Sequence, residues 1–154
     1  MREGRLAGIA RHDRPKGPLE THATVRVTTG EGVHGCFRGG LATSKLGHKR
    51  QVSLIEGDCW RAALADAHAS LDWQHSRRNL LIENLRLPRA TGTRVQIGGS
   101  LVVEITEECA PCERMEALLP GLRAAMTPDW RGGFLARVEQ DGEIAVGDEI
   151  KIVE

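Results

Sequence analysis

Numerous short apolar runs set off by glycine turns, a single long helical pattern, and no regular alternation of strands with helices predict a mainly β protein. That combination favours a β-barrel or a partly open barrel over stacked βαβ units. Residues 5–10 (RLAGIA) form an opening strand, followed by a polar loop over 11–17. Residues 24–29 (TVRVTT) alternate as a half-buried strand does. From Gly30 to Gln51 the periodicity collapses into a glycine-rich, polar stretch, read as a long irregular loop, and loops of that length usually bind something or move. Ser53 and Glu56 have the S-x-x-E spacing of a capping box. An alanine-rich helix is expected from there to about residue 69, with Ile55, Cys59, Ala63 and Ala67 on one face.

The later segments are short. Residues 79–82, 93–97 and 101–106 read as strands, the last two joined at Gly98-Gly99 as a hairpin. Residues 113–119 continue a helix before Pro120-Gly121 interrupts it. Residues 134–138 and 149–153 supply two more strands, separated by the Asp141-Gly142 and Gly147-Asp148 turns around a brief 144–146 run.

The 154 residues suit one domain that closes a core without disulfides. Basic and acidic side chains number 21 each, so the whole chain has no strong attraction for nucleic acid or an anionic membrane. Most of the cations are arginine, which leaves room for a local anion site. No stretch approaches the roughly 20 apolar residues of a membrane span, and the first residues lack the apolar centre of a signal peptide. A soluble, cytoplasmic protein is expected. Four cysteines are sparse for a disulfide scaffold and fit reduced thiols, with Cys59 read as a core residue.

The most informative motif is Cys109-Ala110-Pro111-Cys112, a thiol pair between a strand and a helix. Placement near a helix N-terminus and beside Arg114 favours the Cys112 thiolate, whereas Glu107, Glu108 and Glu113 oppose it. A zinc site would need further ligands, for which His34, His48, His68 and His75 are available. A dithiol redox pair, two incidental thiols, and a ligand site using one thiolate are the other readings. Three arginine segments complete the constellation. Arg77-Arg78-Asn79 stands at a strand entrance and offers phosphate donors. Lys45, His48, Lys49 and Arg50 make the glycine-rich loop basic, without the ending of a P-loop. Arg131 precedes Gly132-Gly133, where backbone can pass close to a ligand or simply turn. Trp60, Trp73 and Trp130 lack a stacking repeat and read as core or pocket walls. No Ser/His/Asp triad or H-E-x-x-H helix is written in the chain, so the residues favour a held cofactor over autonomous acid–base hydrolysis.

Taken in order, GVHGCFRGG, KRQVSLIE, RRNLLIENLRL, GTRVQIGGSLVVEITEECAPCERME, PGL, RGGFLARV and GEIAVGDEIKI resemble the MOSC family, named for the C-terminal domain of molybdenum cofactor sulfurase. The resemblance spans nearly the full chain and implies a single MOSC domain over 1–154, a β-barrel with peripheral α-helices. It further implies a molybdopterin-type molybdenum cofactor, with Cys112 as the thiolate ligand to molybdenum and Cys109 the weaker choice. Arg77, Arg78 and Asn79 would lie near the cofactor or its phosphate, and Arg50 and Arg131 are secondary anion contacts. The implied activity is reduction of an N-oxygenated substrate, which requires an external electron donor. A carrier of cofactor or sulfur, loaded at Cys112 by a sulfur donor, and a vestigial interaction domain are the alternatives. Two departures stand out: Gly35-Cys36 replaces the Gly-Asp of many standalone relatives, and Arg78-Asn79 replaces the Glu-Asn of some. Cys36 is thereby a possible second thiol near Cys112.

Overall fold

The structure, a computed structural model, describes residues 4–12, 17–36 and 50–153. Its strands are β1 (Gly4–Arg11), β2 (Glu20–Thr21), β3 (Thr24–Thr28), β4 (Gly32–Val33), β5 (Val52–Glu56), β6 (Leu80–Glu83), β7 (Arg94–Ile97), β8 (Leu101–Glu108), β9 (Phe134–Gln140), β10 (Gly142–Ala145) and β11 (Glu149–Val153). The helices are α1 (Gly57–Asp66), α2 (Glu113–Leu118) and α3 (Leu122–Met126). Seven strands run in the order β11-β7-β8-β9-β5-β6-β1, and β1 returns to β11, which closes the barrel that the sequence predicts. Short β2 extends the sheet beyond β1, and β10, β3 and β4 form a separate three-stranded sheet.

Alternation in the strands sorts side chains between two cores, because successive residues face opposite sides of a sheet. Leu54, Leu80 and Ile82 point into the barrel, whereas Ile55 and Leu81 point outward. Inside, Val103 of β8 lies level with Val95 of β7 and Val138 of β9, so three β-branched side chains make one layer. Outside, Ile55 and Leu81 are covered by Trp60, Ala63 and Leu64 of α1 and by Met115, Leu122 and Met126 from α2 and α3. The helices are therefore peripheral. They shield one wall of the barrel, and the thiol motif lies on the connection leading into α2.

β5 and β6 are the parallel pair, connected through α1 and the 3-10 turn Trp73–Ser76. One βαβ unit is thus built into an otherwise antiparallel barrel. Ser53 and Glu56 do not cap the helix: both lie in β5, between β6 and β9, and α1 starts at Gly57 and ends at Asp66. The run Val-Ser-Leu-Ile-Glu satisfies a strand as well as a capping box, and burial of Val52, Leu54 and Ile55 selects the strand. Ile55 consequently belongs to the strand rather than to the helical face. The long glycine-rich segment also holds more order than expected, since Gly32–Val33 pairs with β3. Lys45, His48 and Lys49 lie outside the described residues.

Glu56 ends β5 with its carboxylate 4% exposed as a residue. Arg89 meets both oxygens, at 2.6 and 2.8 Å, and the Leu87 amide donates at 2.7 Å. Arg89 also lies over the Phe134 ring, 5.2 Å from its centre. Removing one member of such a pair leaves the other charge without its partner, so Glu56→Ala is expected to destabilise the fold by about 3–5 kcal/mol, measured by urea unfolding. An effect under ~1 kcal/mol would mean that Arg89 finds other solvation at little cost.

Candidate functional site

Arg78 organises the region around the thiol pair. It is 7% exposed, and its guanidinium donates to three backbone carbonyls: Nε to Gly132 at 2.7 Å, one terminal nitrogen to Ser76 at 2.7 Å, and the other to Cys109 at 3.1 Å. A rigid fork of N–H groups can meet several carbonyls at once, which lysine cannot. The Cys109 amide donates to the Gly133 carbonyl at 2.8 Å, so residues 109–111 are tied to the Arg131-Gly132-Gly133 turn from two sides. Gly132 has to be glycine there. A Cβ would run into the Cys109 carbonyl and Pro111.

Asn79 secures the neighbouring strands. Its Oδ1 accepts from the Ser53 amide at 3.0 Å and from the Ser53 hydroxyl at 3.1 Å. That fixes the amide orientation and leaves Nδ2 to donate to the Ala10 carbonyl at 3.0 Å and to the Cys36 sulfur at 3.5 Å. Cys36 is buried and its sulfur is also 3.8 Å from His12 Nδ1. Among the described residues no contact joins Cys36 to Cys112.

The other arginines have protein partners as well. Arg50 faces Glu107 at 3.6 Å, and Arg131 donates to Asp66 at 2.6 Å and to the Ala125 carbonyl at 2.9 Å. Arg50 and Arg78 thus reach the segment that carries the thiols, through Glu107 and Cys109, whereas the Arg131 side chain turns to α1 and α3. Arg77 differs from its neighbour. Its backbone adopts the left-handed conformation (φ 65°, ψ 22°) at the end of the 3-10 turn, and its side chain lines a cleft of about 410 Å³. Gln74, His75, Arg114, Met115 and Leu118 share that lining with Pro18 and Leu19.

The four thiols are free and their settings are unlike. Cys112 immediately precedes α2, is exposed, and has no side-chain hydrogen bond to the helix. The helix α2 that follows it has only six residues. Cys109 is half-buried. Cys59 is buried, as expected, and burial together with the adjacent Glu56 carboxylate pushes its thiol up to about 11. Among the described residues no group of three or more His, Cys, Asp or Glu is placed to hold a metal ion, and His34, His68 and His75 are not gathered with the thiol pair. His48 lies outside the described residues. What sequence reasoning missed is the cleft: Arg114 drew attention only as a neighbour of Cys112, and the contribution of Gln74, His75 and Leu19 depends on chain crossings that no local pattern records.

The family model of the MOSC domain matches residues 42–151, most of the chain. The chain belongs to the MOSC domain family. Its fold is also that of solved relatives at low identity. The YUAD protein from Bacillus subtilis aligns over 99% of this chain and 98% of its own, with 17% identity and a TM-score of 0.80. YiiM from Geobacillus stearothermophilus aligns over 98% and 75%, with 17% identity and a TM-score of 0.74. YiiM from Escherichia coli aligns over 100% and 70%, with 12% identity and a TM-score of 0.66. A sequence search of curated proteins found no match. Among the described residues of this MOSC protein no helix is long and apolar enough to cross a membrane.

Alkylation followed by mass spectrometry should modify Cys112 first and Cys59 last, and Cys59 should stay slow until the pH nears 11; early labelling of Cys59 would contradict its burial. Arg78→Lys keeps the charge but loses the fork, so a loss of about 2 kcal/mol is expected, with faster hydrogen exchange at the Cys109 amide. Unchanged exchange there would show that Arg78 does not hold the loop.

Proposed function

We propose that this MOSC protein binds a molybdopterin-type molybdenum cofactor through Cys112 and takes part in reducing N-oxygenated small molecules, with electrons from a separate donor. The observation that carries the reading is an exposed thiol two residues from Arg114, on a loop braced by a buried arginine, beside a cleft that also presents Arg77. The residues present suit such a group. A thiolate is a soft ligand appropriate to molybdenum, and guanidinium groups suit the phosphate of a pterin tail. When bound, the cofactor supplies the oxygen-atom and electron chemistry.

The chain's own residues divide the remaining work. Cys112 provides the ligand atom. Arg77 neutralises the anionic tail, while Arg78 keeps Cys109 and the Gly132 turn in register so that Cys112 is presented outward. Arg50 and Arg131, each paired with a carboxylate, are secondary anion contacts in this reading, and Asn79 positions the strand entrance that carries Arg77 and Arg78. Binding of the pterin and turnover of an N-oxygenated substrate both rest on Cys112 in this reading. Its exposure equally favours a second reading, a sulfur carrier loaded as a persulfide.

The test is molybdenum and pterin analysis of protein made in cells that synthesise the cofactor. Near-stoichiometric molybdenum and pterin are expected in the parent, with at least a tenfold loss in Cys112→Ala. Equal content in the two proteins would overturn the assignment of Cys112. Persulfide on Cys112 without molybdenum would select the carrier.

A further inference from the structure

Asp129 and Trp130 are consecutive residues with left-handed backbone, at φ 52° and 54°. Aspartate enters that region more readily than most residues, but a bulky side chain such as tryptophan is an outlier there. Strain of this kind persists only where the surroundings over-determine it. Here they do so on both sides of the turn. Arg86 donates to Asp129 Oδ2 at 2.6 Å, and Arg89 donates to the Asp129 carbonyl at 3.3 Å. Arg89 is itself anchored on the buried Glu56 carboxylate, and its buried Nε, which makes no hydrogen bond, faces Asp129 Oδ1 at 3.7 Å. The Trp130 ring rests against Phe134 with centroids 5.5 Å apart, and Phe134 also carries the Arg89 guanidinium. The Arg131 amide donates back to the Pro128 carbonyl at 3.0 Å and the Gly133 amide to the Trp130 carbonyl at 2.9 Å, so the turn closes on itself. Its last two residues hold the thiol loop: the Gly132 carbonyl accepts from Arg78, and the Gly133 carbonyl accepts from the Cys109 amide at 2.8 Å. A continuous chain of contacts therefore runs from Glu56, at the end of β5, through Arg89 and the strained turn to the backbone of Cys109.

We propose that Asp129 is a positioning residue for the thiol loop: bonded to Arg86 and faced by Arg89, it keeps the 129–130 backbone left-handed and so sets the Gly132 and Gly133 carbonyls that Arg78 and Cys109 require. One of the three carbonyls that satisfy Arg78 belongs to this turn, so the buried brace and the strained turn are set together. Relaxation of residues 129–130 to an unstrained backbone would swing the following peptide units and withdraw both acceptors. Gly133 has little room to compensate, because it is packed against the Leu54 backbone of β5. The proposal rests on the cofactor reading only for its consequence at molybdenum; the tie between the turn and the thiol loop stands apart from it.

Amide hydrogen exchange, followed by NMR in the full chain made without cofactor, compares the parent with Asp129→Ala and Asp129→Asn. Alanine loses the carboxylate and is disfavoured in the left-handed region, whereas asparagine tolerates that region and keeps an acceptor for Arg86. Exchange at the Cys109 amide is expected to rise about tenfold or more in Asp129→Ala and to return to within about threefold of the parent in Asp129→Asn. The Gly98 amide, which donates to the Glu149 carbonyl at 2.9 Å where β7 meets β11, is the internal reference and should not change. No rise at Cys109, an equal rise at Gly98, or no recovery with asparagine overturns the proposal. The same variants are then made in cells that synthesise the cofactor. Molybdenum content should fall about threefold or more in Asp129→Ala and recover in Asp129→Asn; content unchanged in Asp129→Ala would overturn the link from the turn to the thiol. Absence of molybdenum from the parent would mark failure of the cofactor reading, and the exchange comparison would still decide whether Asp129 sets the loop.

Discussion

Burying a guanidinium is costly unless its N–H groups are met, and Arg78 is met by the carbonyls of Ser76, Cys109 and Gly132 rather than by a carboxylate. Those three carbonyls belong to the 3-10 turn, the thiol loop and the turn before β9. A single side chain thus fastens together three segments that are far apart in sequence. Gly132 permits the close approach, and the Cys109 amide to Gly133 carbonyl bond completes the tie. With residues 109–111 held, Cys112 emerges at the edge of the barrel, ahead of a helix whose Met115 is packed in the outer core. The rest of the candidate site depends on that restraint.

The consecutive pair Arg77-Arg78 illustrates how one strand entrance serves two needs. Arg78 turns inward and holds the scaffold. Arg77, on a left-handed backbone, faces the cleft. Asn79 continues the inward role, its carboxamide spanning Ser53, Ala10 and Cys36. Charge that reads as one arginine patch in the sequence is thereby divided into a buried brace and a half-buried residue at the cleft. The thiols divide in the same way: Cys59 is held protonated by burial beside Glu56, and Cys112 is left open to solvent.

Much of the fold was legible because alternation in a closed barrel is a local signal. Residues 101–106 and 134–138 lie on the strands where their pattern put them, with Leu101, Val103, Ile105, Phe134, Ala136 and Val138 in the barrel core, and the Gly98-Gly99 hairpin joins β7 to β8. The helix start was misread at Ser53, since a capping box and a buried strand share the same letters and only the pairing of β5 with β6 and β9 separates them. Helix α3 escaped notice because five residues after Pro120-Gly121 carry too little periodicity to announce a helix. At the site, the importance of the Cys-x-x-Cys segment and the RRN run was legible from residue type. Their division of labour was not, because it depends on which carbonyls come within reach of Arg78 and on the meeting of residues 18–19 and α2 at one cleft.

The proposed role of Cys112 requires a bond from its open thiol to molybdenum. Molybdenum K-edge X-ray absorption of the loaded protein examines that bond directly, comparing the parent with Cys112→Ser at matched molybdenum content. A sulfur contribution beyond that of the pterin dithiolene is expected in the parent and absent in the variant. Identical sulfur scattering in the two proteins would contradict it.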